Sequence, residues 1–292
     1  MIYDIRQITT CTYASAVSNA RHVLRLTPIN RPGQRVQVAS LQIEPEPEHW
    51  RDGRDFFGNK LTWVGLEDPH ETLTVKVSAR IAVDPFVVPP AETAPAWEAV
   101  QEEVFASTDI GPMAPAHFLF PSRMVSLDPE IRDYARTSFP PGRSVLAAAV
   151  ELTRRIKTDM TYDTRATTVT TTPPMSFALR RGVCQDFAHI MISGLRGIGL
   201  PAAYVSGYLR TTRPPGETRL QGADAMHAWV LVWSGESIGW VGFDPTNDLI
   251  ASDEHIVLAV GRDYTDVAPI DGVIVISGGQ RIDVAVNVTP VN

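Results

Sequence analysis

Arg181-Gly182-Val183-Cys184-Gln185-Asp186-Phe187-Ala188-His189 is the stretch on which the reading of this chain turns. A helical pattern starts at the cysteine: Val183, Phe187, Ile190, Met191, Leu195 and Ile198 recur at the spacing of one helix face, and Gly199 and Pro201 close it. Gly182 gives the chain freedom to turn sharply into that helix. A thiol in the first helical turn meets amide hydrogens without intrahelical partners and the positive end of the helix dipole, and both favour negative charge on sulfur. The competing use of Cys184 is as a small buried hydrophobe, so the residue needs a partner before it means chemistry. His189 is a poor one, because five residues along a helix turn it about 140° away. It is assigned to the core or the surface.

Further along, Met226 to Trp233 alternates as a strand, with His227, Trp229, Leu231 and Trp233 on one face. Trp240 to Asp244 is a second strand, with Trp240, Gly242 and Asp244 on one face. If Gly235-Glu236 forms a two-residue turn, the strands pair as a hairpin with His227 directly opposite Asp244. Opposed residues have Cβ atoms about 4.5–5.5 Å apart, close enough for a carboxylate to hold an imidazole. A His-Asp pair across a hairpin can be purely structural. With a helix-capping cysteine upstream, however, it completes the nucleophile, base and orienting acid that acyl transfer requires. Zinc would lack a convincing fourth ligand, since no C-x-x-C or H-E-x-x-H is present. Gly194, Gly197 and Gly199 end a helix, where a phosphate-cradling loop would begin one.

Upstream of the cysteine, Ser144 precedes Val145, Leu146, Ala149, Leu152 and Ile156, an amphipathic helix. The Thr-rich stretch 167–172 leads to Pro173-Pro174, which opens a short helical turn. The first ninety residues are β-rich. Leu73 to Val83 alternates, Val36 to Ile43 is a shorter strand, and Asp52-Gly53 and Gly58-Asn59 supply turn chemistry, consistent with a small antiparallel sandwich. Pro85, Pro89, Pro90 and Pro95 mark a boundary, followed by two short helices, one with Trp97, Val100, Val104 and Phe105 on one face and one beginning at Asp128-Pro129. The expected organisation is a β-rich domain over 1–90, a helical connector over 91–142, and an α+β catalytic core over 143–292 that includes the C-terminal strands around Ile282 to Val288.

Composition excludes several classes. The 292 residues carry a net charge of −7, which disfavours binding to a nucleic-acid backbone. No apolar run is long enough to span a membrane, and Met1-Ile2-Tyr3-Asp4 does not begin a leader sequence. Two cysteines, Cys11 and Cys184, make a disulfide scaffold improbable and suit a reducing compartment, so a cytoplasmic location is expected. No calcium loop stands out, and neither metal nor cofactor dependence is expected.

Four segments together resemble the bacterial transglutaminase-like family of cysteine enzymes: residues 181–189, Gly199 to Tyr208, Asp224 to Trp229, and Gly239 to Asn247, with Gly261 to Asp266 beyond them. The order Cys, His, Asp is the family's, and the β-rich N-terminal unit is similar to the domain that precedes the core in this branch. The resemblance implies a papain-like core in which Cys184 attacks an amide carbon to form a thioester, His227 moves the proton, and Asp244 fixes its tautomer. The Cys184 amide is a candidate oxyanion donor, Tyr162 a weaker one, and Asp186 and Trp229 are supporting residues. Relatives in this branch often sit beside genes for ATP-grasp-like and α-helical partner proteins, which suggests a peptide-like substrate. Hydrolysis is the expected outcome, as a peptidase or amidase. The alternatives are a transglutaminase that passes the acyl group to an amine, and a noncatalytic binding module retaining the fold.

Overall fold

The computed structural model describes residues 1–210, 225–275 and 278–291. The N-terminal part is built around one long strand, β1 (Ile2–Leu24), together with β2 (Gln34–Glu44), β3 (His49–Arg54), β4 (Lys60–Leu66) and β5 (His70–Val83). The register of β1 with β5 breaks between Thr12 and Val17, and Asn19 takes a positive φ of 55°. Such an irregularity bends a strand and increases its twist. The first half of β1 therefore pairs with β5, and the second half with β4. Tyr3, Ile5, Val64, Leu66, Leu73 and Val75 from these strands share one buried cluster. Of the two expected turns, Gly58 does sit in one, at φ +81°, between β3 and β4. Gly53 does not. It lies inside β3 opposite Leu61, where a Cβ would come within 2.6 Å of the Trp63 ring.

Then come α1 (Trp97–Ala106), α2 (Pro129–Arg136), α3 (Val145–Asp159), β6 (Thr161–Tyr162), α4 (Pro173–Leu179), β7 (Arg181–Gly182) and α5 (Cys184–Gly197). Asp128 caps α2 by accepting from the amides of Glu130 and Ile131. On α1 the expected apolar face holds at Trp97, Val100 and Val104, but Phe105 is exposed. From Gln185 to Arg196 every residue of α5 is buried, which makes it the central helix. Gly194 and Gly197 belong to packing: Cβ atoms there would come within 2.7 Å of Ala135 and 2.9 Å of Arg132 on α2.

The remaining elements are β8 (Ala202–Leu209), β9 (Ala225–Trp233), β10 (Trp240–Asp244), β11 (Leu249–Ile250), β12 (His255–Gly261), α6 (Tyr264–Val267), β13 (Ile270–Val275) and β14 (Gln280–Val291). The core sheet has the order β11-β10-β9-β8-β12. Tyr204, Ala228, Val230, Val241 and Phe243 on one of its faces share the buried cluster of the helices. None of the described helices is long and apolar enough to cross a membrane.

The expected division of the chain placed the C-terminal strands with the catalytic core, and the pairing differs. β14 runs antiparallel to β1 from Ile2↔Val291 to Tyr13↔Gln280, and β13 pairs with its second half from Ser18↔Val275 to Leu24↔Ile270. The last strands thus complete the N-terminal sheets. The helices of 91–142 are likewise more than a connector, because Trp97, Val100, Ile131 and Ala135 are buried in one cluster with α3 and α5.

Candidate active site

Cys184 is the first residue of α5 and is half-buried. The start of the helix is fixed by Asp186, whose carboxylate accepts from the Val183 amide at 2.8 Å and from the Thr167 hydroxyl at 2.7 Å. Burial pushes the Asp186 carboxyl up, opposed by those two hydrogen bonds. Gly182 matters for space as well as for the turn: a Cβ there would come within 2.5 Å of the Asp186 carboxylate. The Thr-rich loop is tied to the same helix end a second time, by Gln185 Nε2 donating to the Val169 carbonyl at 3.0 Å.

His227 and Asp244 meet, but by a different register from the one expected. Trp240 faces Trp233 and Phe243 faces Val230, which is two residues away from the two-residue-turn pairing. The loop is longer than two residues: Gly235 and Gly239 take positive φ of 93° and 80°, the Gly235 carbonyl accepts from the Ile238 and Gly239 amides, and Ser234 N–H closes the loop on the Gly239 carbonyl at 2.9 Å. Glu103 on α1 packs against it, accepting from the Glu236 amide and from Trp233 Nε1. A shift of two preserves the face of every side chain. His227 Nε2 consequently reaches Asp244 Oδ2 along the diagonal, at 2.8 Å.

Asp244 is wholly buried and well supplied with donors. Its Oδ1 accepts from the amides of Thr246 and Asn247 at 2.9 and 3.2 Å, and its Oδ2 accepts from Asn247 Nδ2 at 2.7 Å. Burial alone would push this carboxyl up; hydrogen bonds from His227, His255 and Asn247 and the imidazolium charge outweigh it and hold the group well below the usual carboxylate range. The imidazole of His227 feels the reverse. Burial disfavours its charged form, but hydrogen-bond and charge interactions with Asp244 and then Cys184 raise it from 6.5 to about 10. With Nε2 committed to Asp244, Nδ1 is the nitrogen left for the sulfur. The arrangement provides a proton-holding imidazole between a fixed carboxylate and a helix-end thiol, the parts needed for nucleophilic attack and leaving-group protonation.

Sequence reasoning missed three neighbours. His255 Nε2 lies 3.2 Å from Asp244 Oδ2. Asn247 was visible in principle, because Asp-Pro-Thr-Asn is turn chemistry in which an Asx side chain takes the amides that follow it. Tyr204, on β8, is buried and has its phenol pushed up first by burial and then by charge on Cys184. Tyr162, the weaker oxyanion candidate, is half exposed at 51%, with its phenol raised by burial and by the same sulfur. Trp229 is buried and stacks on His227 with ring centroids 6.2 Å apart. His189 lies in the core: its Nε2 accepts from the Tyr264 amide at 3.2 Å, and burial lowers it to about 4. Asp224 lies outside the described residues.

The ligand atoms of His227, Asp244 and His255 lie within 4.8 Å of one another, the spacing of a metal site. Asp244 Oδ2 already has three donors on it, however, and the carboxylate has no exposed surface. The cluster is a proton-linked network, and no metal is assigned to it.

Comparison with known proteins places these residues in context. The family described as the bacterial transglutaminase-like N-terminal region matches residues 3–82, and the transglutaminase-like superfamily matches residues 132–245, a span containing Cys184, His227 and Asp244 but not His255. An uncharacterized protein of Mycobacterium tuberculosis (strain ATCC 25618 / H37Rv) is 37% identical over 297 residues, covering 99% of this chain and 92% of its own length. A protein-glutamine gamma-glutamyltransferase of Pseudomonas aeruginosa is 39% identical over 71 residues, 24% of this chain and 10% of that protein. Among solved structures, a protein provisionally described as a cysteine protease from Cytophaga hutchinsonii superposes with a TM-score of 0.76 at 21% identity, covering 100% of this chain and 92% of the other. At that identity the likeness establishes the fold: a papain-like, transglutaminase-like α+β core behind a β-rich N-terminal region.

Proposed function

The chain belongs to the transglutaminase-like superfamily, and from that premise we propose that it is a cysteine-dependent acyl-transfer enzyme that hydrolyses amide or peptide-like bonds. The observation that carries this reading is the 2.8 Å bond from His227 Nε2 to a fully buried Asp244, which leaves Nδ1 for a thiol at a helix start. Cys184 attacks the amide carbon as thiolate, its proton resting on His227. The carbonyl π electrons move to oxygen, where the Cys184 amide and a neighbouring phenol are the available donors. When the tetrahedral intermediate collapses, the C–N bond breaks and His227 gives its proton to the leaving amine. Water then attacks the thioester, losing a proton to His227, and the C–S bond breaks to release the acid and restore the thiolate-imidazolium pair. Asp244 holds the imidazole in the orientation that both proton transfers use.

An amine in place of water at the second step would give a transglutaminase, and the local likeness to the Pseudomonas aeruginosa enzyme supports that alternative. Intact mass spectrometry after exposure to a library of amide substrates tests the common step. An acyl adduct should accumulate on the wild-type chain and be absent from Cys184→Ala. An adduct that persists in folded Cys184→Ala removes the nucleophile assignment. Products dominated by the amine adduct at millimolar putrescine would reverse the choice between water and amine.

A further inference from the structure

We propose that His255 is a positioning residue for this centre, donating Nε2–H to Asp244 Oδ2 and so holding the carboxylate against His227. The inference rests on the function proposed above. His255 begins β12, which pairs with β8 and is not a neighbour of β10 in the sheet. The crossover from β11 carries it back to the carboxylate. The ring is buried, at 4% side-chain exposure, and its two nitrogens have distinct partners. The Ser252 amide donates to Nδ1 at 3.4 Å, so Nδ1 is an acceptor and the proton belongs on Nε2. That proton faces Asp244 Oδ2 at 3.2 Å, the same oxygen that His227 Nε2 meets at 2.8 Å.

Two further features hold the ring in place. The Trp229 indole meets it edge-on, with centroids 5.2 Å apart and planes at 73°. Two residues along the strand, Val257 is gripped by the Gln34 side chain, which donates to its carbonyl and accepts from its amide, both at 2.8 Å. The N-terminal part of the chain therefore fixes the strand that carries His255. Asn247 and the turn amides orient Asp244 from its own end, whereas His255 is a donor from a different strand. It ties the orientation of the carboxylate to the assembly of the whole molecule.

The test uses the full-length chain. ¹⁵N spectra of the imidazole rings in wild-type protein should show His255 with Nε2 protonated and Nδ1 bare, and an Nδ1–H tautomer there would overturn the proposal. In His255→Phe, alkylation of Cys184 by iodoacetamide at pH 6.5 should slow about tenfold, the loss expected for one hydrogen bond to a charged acceptor. His255→Gln, whose amide can donate to the same oxygen, should recover most of that rate. Wild-type rates in folded His255→Phe, or a His255→Gln variant as slow as His255→Phe, would overturn it as well. If His255→Phe loses its native melting transition, the wild-type tautomer decides alone. Failure of the functional reading has its own signature: wild-type Cys184 reacting no faster than Cys11 would sink acyl transfer, while the tautomer still judges His255.

Discussion

Cys184 and Cys11 have the same side chain in opposite settings. Cys11 is 3% exposed inside the N-terminal sheet, and burial pushes its thiol up. Cys184 is half-buried at a helix start beside His227. Iodoacetamide at pH 6.5 should therefore modify Cys184 well before Cys11, and equal rates measured by peptide mapping would contradict an activated thiol. The His227–Asp244 pair carries a pH signature of stability. Folded His227 keeps its proton up to about 10, whereas an unfolded imidazole releases it near 6.5. Between those values the native state binds more protons, so the contribution is complete below 6.5 and is lost as pH rises through about 10. Asp244 is depressed, so its contribution is present above the ordinary carboxylate value, about 4, and is lost as pH falls below it. Thermal melts across pH should show the alkaline decline in wild type and a shallower one in His227→Gln. Asp244→Ala should cost about 3 kcal/mol at neutral pH, since it strands one member of a buried pair. A loss below 1 kcal/mol by urea titration would show that the imidazole is held by something else.

At the scale of elements, the beginning of α5 is set by one carboxylate. Asp186 accepts from the Val183 amide and from Thr167, joining helix cap and Thr-rich loop. Asp186→Ala should destabilise the chain by about 1–2 kcal/mol. Asp186→Asn, which retains an acceptor oxygen, should cost less. The check is chemical denaturation of both variants, and an equal cost for the two would assign the role to the charge and not to the cap. Helices were legible at this scale because their signals are local. Asp128-Pro129, Ser144 and the apolar face of α5 each name their own start or face. The hairpin was legible only in part. Alternation put His227 and Asp244 on a common face, but the turn is a longer loop closed on the Gly235 carbonyl and met by Glu103 from a helix more than a hundred residues upstream.

At the scale of the molecule, the two ends of the chain are one structure. β13 and β14 are joined to the sheets through β1, and Tyr208, Ile256 and Leu258 of the core sheet are buried in the cluster of the N-terminal strands. The outer edge of β12 is met by side-chain amides: Gln34 grips Val257, and Asn59 grips Val260 by donating to its carbonyl at 2.7 Å and accepting from its amide at 2.8 Å. Deleting residues 1–83 should thus leave no soluble, cooperatively folding fragment. A monomeric 84–292 fragment with a sharp melting transition would contradict this account of the interface. Gln34→Ala in the full chain should cost about 1–3 kcal/mol, because it strands two backbone groups of Val257. Comparison of its denaturation midpoint with wild type measures that loss.

What the sequence alone determined is whatever a few neighbouring residues can encode. Helix starts, strand alternation and the Cys-His-Asp order follow from backbone preferences and from side chains separated by one turn or one pleat. The family resemblance extended that reading to the fold as a whole. Only the tertiary structure decided which strand β14 would join, how far the β9–β10 hairpin would slide, and that His255 would share the oxygen of Asp244. Period-two alternation identifies a strand without naming its neighbour, and a two-residue slip leaves every side chain on its original face. Those choices are made by burial and hydrogen-bond satisfaction between segments distant in the chain, where no local pattern records the partner.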